Sequence, residues 1–447
     1  MWKLKRHFEN EFLSQEQLEN LRFYKYAATD KSLVSKYILQ PYWSWAVTLL
    51  PTWIAPNLVT LSGLILMMLN VLIIICVVPD LLYTDETPRW IYFSFAAGLW
   101  LYSTLDNMDG KQARRTGTSS PLGELFDHGC DAINCTYVVL LQAAALGLGH
   151  STEALVLYLV MVVGFYLSTA EEYFTGVLYL GIVNGPTEGI MLSCFAFIWS
   201  GIFGAGSWHV PLADIPLLSF LTTILPGETT CAQIFVWGMV FFFAATHCPM
   251  CFYSIYKASR GESVRRKLYI VASVFGPIAS YSVAISLWAW SPYSIILEQE
   301  HFILFTVTVG IMFGFMASNI ILAHLTKSPF PSFYGLLGAL WLMAILIGIV
   351  PRIFEIRLVS ATAELYVLWV FFALSAIVYG IWASTVINKF CEFLGIRCLK
   401  IPHSGERVAV SSSTQASAAQ EHESLLQAQE EGSASATKSN ANNYNTF

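Results

Sequence analysis

The chain has 447 residues, of which 55% are hydrophobic and only 12% charged, with a mean hydropathy of +0.57. Soluble domains carry about a quarter charged residues, so this composition excludes an ordinary soluble enzyme and predicts a polytopic, all-α membrane protein. The net charge of −6 comes from acids in loops and the C-terminal segment, and it suggests no nucleic-acid partner.

Residues 1–36 are polar and mixed in charge, which predicts a cytosolic N-terminal segment and no cleavable signal peptide. Residues 37–54 carry Tyr42, Trp43, Trp45 and Trp53 around Pro41 and Pro51. That stretch is too broken to span, and its aromatics suit an amphipathic helix lying in the membrane interface. Crossing about 30 Å of hydrocarbon takes about 20 apolar residues. Segments of that kind fall at 56–78, 90–106, 123–148, 152–171, 187–204, 232–256, 268–290, 302–324, 332–351 and 361–387, which predicts about ten transmembrane helices. Residues 396–447 read as a disordered cytosolic tail, rich in Ser, Ala, Gln, Glu and Asn from 409 onward. With the N-terminus cytosolic, the opposite loops hold only Arg89, Arg352 and Arg357. Every other Lys and Arg then lies on the cytosolic side, including five in the loop 257–267. The nine cysteines are scattered and imply no disulfide framework.

One stretch breaks the apolar pattern. Asp106 and Asp109 fall at the cytosolic end of the second span, and Asp127 and Asp131 in the first turns of the third. The spacings i, i+3 and i, i+4 put each pair on one helix face. Carboxylates near a bilayer cost roughly 2.5–3.5 kcal/mol each at its centre, and four together repel one another. They persist where something cationic meets them. Four converging carboxylates are the oxygen ligands that a hard divalent cation takes, Mg²⁺ or Mn²⁺. The alternative is a solvated helix–loop–helix junction paired to Lys111, Arg114 and Arg115. Gly110, Ala113 and Gly123 keep the neighbourhood small enough for a flat ligand to approach the backbone.

Asp106, Asp109, Gly110, Ala113, Arg114, Gly123, Asp127 and Asp131 together spell D-x2-D-G-x2-A-R-x8-G-x3-D-x3-D. The pattern resembles the full signature of the CDP-alcohol phosphotransferase family. The runs FYKYAATDKSLVSKYILQPYW, PTWIAPNLVTLSG, SSPLGELFDHGCD, STAEEYFTGVLYL and GPTEGI resemble its cholinephosphotransferase and ethanolaminephosphotransferase branch, over residues 20–395. The resemblance implies transfer from CDP-choline or CDP-ethanolamine to diacylglycerol, by a homodimer in endoplasmic reticulum or Golgi membranes. It further implies that 55–204 are the catalytic helices and 205–395 additional helices facing lipid and a dimer partner. Asp106, Asp109, Asp127 and Asp131 would hold the metal, and Arg114 would contact phosphate. Asn57 and Thr60 would lie near the nucleotide; their alternative reading is a helix start after Pro56. His128 is read as the general base with Asp131 as ligand or orienter, while Asp131 as base stays open. Glu172 and Glu188 are read as attracting the alcohol's cation, with Tyr173 and Phe174 offering ring faces; ordinary helix-end acids are the alternative.

His247, Cys248 and Cys251 suggest zinc only superficially and read as packing. Asn319 and His324 are polar within a span, with an open role. The Asn134 sequon lies inside a span and reads as unused. Two rival functions remain: a CDP-diacylglycerol-dependent synthase sharing the signature, and an ion-coupled transporter. A transporter would spread polar groups near mid-bilayer, whereas these acids crowd one membrane face.

Overall fold

The computed structural model describes residues 13–84, 86–217 and 219–401, so most of the expected tail and the first twelve residues lie outside it. Ten long helices make up the body of the protein, and two three-residue strands are the sheet among the described residues.

A short helix α1 (Gln15–Asn20) opens the described chain behind a Ser14 capping box. An extended strap follows, containing β1 (Ala28–Asp30). The helix expected at the interface comes next. Its regular part, α2 (Gln40–Ala46), is extended by a wide turn at Ser35–Leu39 and a tight one at Val47–Leu49. It thus begins two residues before the expected 37–54 segment and stops five short of its end. Trp53 falls beyond it in a turn, because Pro51 cannot continue the ladder. Leu39, Trp43, Ala46 and Val47 face inward, while Tyr37, Ile38, Trp45 and Leu49 face out.

The long helices are α3 (Pro56–Val77), α4 (Trp90–Thr116), α5 (Pro121–Leu146), α6 (Thr152–Thr175), α7 (Gly185–Phe203), α8 (Cys231–Ala258), α9 (Val264–Ala289), α10 (Phe302–Leu325), α11 (Gly335–Phe354) and α12 (Ala361–Leu394). All except α4 are long and apolar enough to cross a membrane. Helix α4 is 27 residues long, about 40 Å at 1.5 Å per residue, and its Trp, Tyr, Ser and Thr residues together with its charged last turns lower its hydropathy. The chain is a polytopic all-α membrane protein.

Burial sorts these helices. The apolar window of α5 is 83% buried and that of α10 72%, against 11% for α8 and 22% for α12. Helix α5 is therefore the central post, packed against α3, α4, α6, α7 and α10. Close approach is built in by small residues. A side chain at Gly98 of α4 would sit 2.0 Å from Nδ2 of Asn70 on α3, whose Oδ1 accepts a 2.7 Å hydrogen bond from Ser94.

The arginines at the end of the bundle away from the acids are all committed within the fold. Arg89 donates to the Ile202 carbonyl at 2.8 Å and Arg352 to that of Trp290 at 2.6 Å. Arg357 lies 3.9 Å from Glu364, a fully buried acid that also accepts from Trp288 at 2.9 Å and Ser294 at 2.7 Å.

Candidate active site

The acidic stretch folds back on itself through one glycine. Helix α4 runs ten residues past its expected end at 106, because Lys, Gln, Ala and Arg there are strong helix formers. It ends at Gly117, whose φ of +64° is the left-handed conformation that glycine adopts freely. Ser120 then caps α5, accepting from the Gly123 N–H, with Pro121 in the first turn.

This hairpin brings one carboxylate oxygen each of Asp106, Asp127 and Asp131 within 4.8 Å of one another. The fourth acid, Asp109, accepts a hydrogen bond from the Thr60 hydroxyl of α3. Tyr102, one turn before Asp106, donates to Asp131 at 2.6 Å. Oδ1 of Asp106 and Oδ1 of Asp127 are buried with no hydrogen-bond partner. Buried acceptors are normally satisfied, so these two fit a ligand that supplies positive charge. Hard oxygen donors in this number suit a divalent cation; the acids are placed to bind a metal.

The nearby cations do not neutralise them. Lys111 donates to Gln40 at 2.9 Å and Ser44 at 3.2 Å, and Arg115 to the carbonyls of Val47 at 2.9 Å and Leu50 at 2.8 Å. Both thus moor α2 and the turn that follows it. The Arg114 guanidinium is exposed and lies 3.6 Å from where a Gly110 side chain would begin. Among the described residues, no lysine or arginine pairs with the four aspartates. The alternative of an internally paired junction is therefore not what the fold builds.

Asn57 opens α3 beside Gly123, where a Cβ would stand 3.8 Å from its Oδ1. The Asn57 amide donates to Cys398 at 3.5 Å, so the turn after α12 reaches this corner. Ala113 is half-buried on the same helix as Gly110.

A second polar cluster adjoins the first and was only partly legible in the sequence. Glu124, Glu172 and His324 bring ligand atoms within 4.8 Å of one another. Nδ1 of buried His128 lies 3.7 Å from Glu172. Tyr24, from the N-terminal strap, donates to Glu124. Burial first, then Glu124 itself, pushes the Tyr24 phenol above its ordinary range, so it stays a donor. Glu124, Tyr24 and Tyr102 were missed. Glu124 sits three and four residues before Asp127 and His128, a spacing that could have flagged it.

Glu188 does not join either cluster. Its carboxylate accepts from the Ser32 hydroxyl and, at 2.9 Å, from the Asn184 N–H, which ties the loop before α7 to the strap. Tyr173 and Phe174 pack on Phe330, with centroids 5.1 and 5.6 Å away, so their rings are committed. His247 contacts Ser168 at 3.3 Å and the Gly164 carbonyl at 3.0 Å, consistent with packing. Asn134 is buried within α5.

Residues 53–175, spanning α3 to α6, match the CDP-alcohol phosphatidyltransferase family. The chain is 35% identical over 404 residues to choline/ethanolaminephosphotransferase 1 of Saccharomyces cerevisiae, covering 88% of this chain and 98% of that protein. The chain belongs to the CDP-alcohol phosphotransferase family. It is also 32% identical over 390 residues to choline/ethanolaminephosphotransferase 2 of Arabidopsis thaliana, covering 85% and 96% of the two chains. Mouse ethanolaminephosphotransferase 1 is 31% identical over 392 residues, covering 85% and 92%. These similarities extend well beyond the matched family domain, so the later helices α8–α12 belong to the family resemblance too.

Proposed function

We propose that the chain transfers phosphocholine or phosphoethanolamine from a CDP-alcohol to diacylglycerol, yielding phosphatidylcholine or phosphatidylethanolamine and CMP. The carrying observation is a half-buried carboxylate trio without lysine or arginine partners among the described residues, next to a histidine backed by a carboxylate.

Asp106, Asp109, Asp127 and Asp131 would hold one or two divalent ions, Mg²⁺ or Mn²⁺, which when bound neutralise the donor's diphosphate and the departing CMP. Tyr102 keeps Asp131 an acceptor by donating to it, which favours Asp131 as a ligand. His128, steadied by Glu172 at 3.7 Å, is the base. It takes the proton from the diacylglycerol hydroxyl as that oxygen bonds to the phosphorus carrying the alcohol. The bond from this phosphorus to the bridging oxygen breaks, and the electron pair leaves with CMP. Arg114, free of partners among the described residues, reaches the donor phosphates. Asn57, Thr60, Gly110, Ala113 and Gly123 frame the nucleotide. Glu172 with Glu124 forms the negative wall that the alcohol's ammonium faces, whereas Glu188 holds the mouth loop.

The same reading makes the protein a homodimer of endoplasmic reticulum or Golgi membranes, with the acid site and both termini cytosolic. The crowding of basic residues at the acid-bearing end supports that orientation. CDP-alcohols are water-soluble and arrive from that side, and diacylglycerol enters laterally from the bilayer.

The test supplies purified protein with Mg²⁺, diacylglycerol and labelled CDP-choline or CDP-ethanolamine. Label should appear in lipid from at least one donor, and Asp127→Asn should abolish it. Silence with both donors would redirect the assignment to the CDP-diacylglycerol branch.

A further inference from the structure

The N-terminal strap precedes the family-matched residues 53–175, yet it is anchored on both sides of the second cluster. Before Tyr24, Leu18 and Leu21 are buried with Leu122 and Leu125 of α5 and Leu325 of α10. Asn20 donates to the Thr326 carbonyl at 2.8 Å and Gln17 to Ser328 at 2.7 Å, past the end of α10. After Tyr24, strand β1 pairs in parallel with β2 (Leu178–Leu180), just after α6. The Leu178 N–H donates to the Ala27 carbonyl and the Lys31 N–H to the Leu180 carbonyl, both at 3.0 Å. Tyr24 is thus held between the ends of the two helices that supply Glu172 and His324.

From that fixed point the half-buried Tyr24 donates its hydroxyl to Glu124. Glu124 lies in the first turn of α5, is buried, and accepts no other hydrogen bond among the described residues. One of its carboxylate oxygens stands within 4.8 Å of one from Glu172. Two carboxylates so close repel each other, and a glutamate in a helix's first turn has rotamers that lead away to water. Each acid is held by one group. Glu172 has Nδ1 of His128 at 3.7 Å, and Glu124 has the Tyr24 phenol. The phenol comes from a segment already ordered by its own ties, so holding Glu124 costs little further entropy.

We propose that Tyr24 is a positioning residue of the alcohol subsite: its hydroxyl holds the Glu124 carboxylate beside Glu172, so that the two acids meet the donor's ammonium together. This rests on the transfer reaction proposed above, in which those acids form the wall that the ammonium faces. The ammonium takes no part in the bonds that form and break, and it keeps its charge throughout. An acid pair that meets it therefore stabilises substrate and transition state alike, and its disturbance falls on KM rather than on kcat. CMP carries no alcohol and does not engage the pair.

The experiment measures kcat and KM for CDP-choline and CDP-ethanolamine, and the inhibition constant of CMP, on full-length protein. It compares wild type with Tyr24→Phe, Asn20→Ala, Glu124→Gln and the Tyr24→Phe, Glu124→Gln double variant. Tyr24→Phe should raise KM for each donor that wild type uses by about ten-fold, the lower end for a hydrogen bond to a charged group. Its kcat and its inhibition by CMP should stay near wild type. In the Glu124→Gln background the same change should add little, because the phenol acts through that carboxylate. Asn20→Ala, which cuts one tie of the strap without touching Glu124, should leave KM near wild type. An unchanged KM in Tyr24→Phe overturns the assignment while leaving the transfer reaction standing. So does CMP weakened as much as the donors, an Asn20→Ala variant equally impaired, or a full Tyr24→Phe effect in the Glu124→Gln background. Wild-type protein that neither uses nor binds either donor overturns both.

Discussion

Tyr102→Phe tests whether the half-buried trio holds a metal. The tyrosine is 2% exposed and its hydroxyl donates to Asp131 at 2.6 Å. Phenylalanine fills the same space and removes only that donor. A hydrogen bond to a charged acceptor contributes about 1.5–3 kcal/mol, which at about 1.4 kcal/mol per factor of ten is roughly 10- to 150-fold in an equilibrium constant. Partners that orient metal ligands cost a comparable 10–100-fold in metal affinity when lost. The assay strips the protein with chelator and titrates Mg²⁺ or Mn²⁺ back while following lipid product. Half-saturation should move to about 10–100-fold more metal, with most of kcat recovered at saturation. An unchanged titration midpoint would refute the placement of Asp131 among the ligands, whatever happened to kcat.

Asp127→Asn should lower activity by at least about 10²–10³-fold, as expected when charge stabilisation at the reacting phosphate is lost. In chelator the same variant should unfold at an equal or higher temperature than wild type, because it removes one of several mutually repelling buried carboxylates; a clear drop would mean Asp127 is structural. His128→Ala should cost about 10²–10⁴-fold in kcat, and Glu172→Gln less, since it only steadies the ring. Should His128→Ala keep most turnover while Asp131→Asn loses it, the base is Asp131. Gly98→Ala places a Cβ 2.0 Å from the Asn70 amide and should destabilise the α3–α4 contact by roughly 1–3 kcal/mol, read as a lower unfolding temperature in detergent; an unshifted transition would mean the helices part easily there.

The ten-helix bundle and the acid hairpin were legible because both are local. A run of apolar residues identifies a span without reference to the rest of the chain, and i, i+3 and i, i+4 spacings fix a shared face. Hydropathy located the end of α4 wrongly for a physical reason. Charge ends the apolar run at Asp106, but only Gly117 ends the helix, so the span and the helix are different objects. The extra turns carry Lys111 and Arg115 out to α2 and the turn that follows it. That removes from the acids the counter-charges that the sequence placed next to them.

The second cluster shows the opposite case. Its members come from the strap, α5, α6 and α10, tens to hundreds of positions apart, and beyond the Glu124–His128 spacing no periodicity relates them. Adjacent residues mislead in the same way. Tyr173 and Phe174 follow Glu172 directly, yet successive helical side chains diverge by about 100°, and both rings turn to Phe330. Glu188 reads from sequence as an acid at a helix start, which is the position where a carboxylate accepts backbone N–H groups. The Asn184 N–H and Ser32 hydroxyl use it so. What distinguishes a functional acid here is therefore not its neighbourhood in the chain but an unspent oxygen in the fold. By that criterion Asp106 and Asp127 qualify, and Lys111 and Arg115, already committed elsewhere, leave their charge to be met by a ligand.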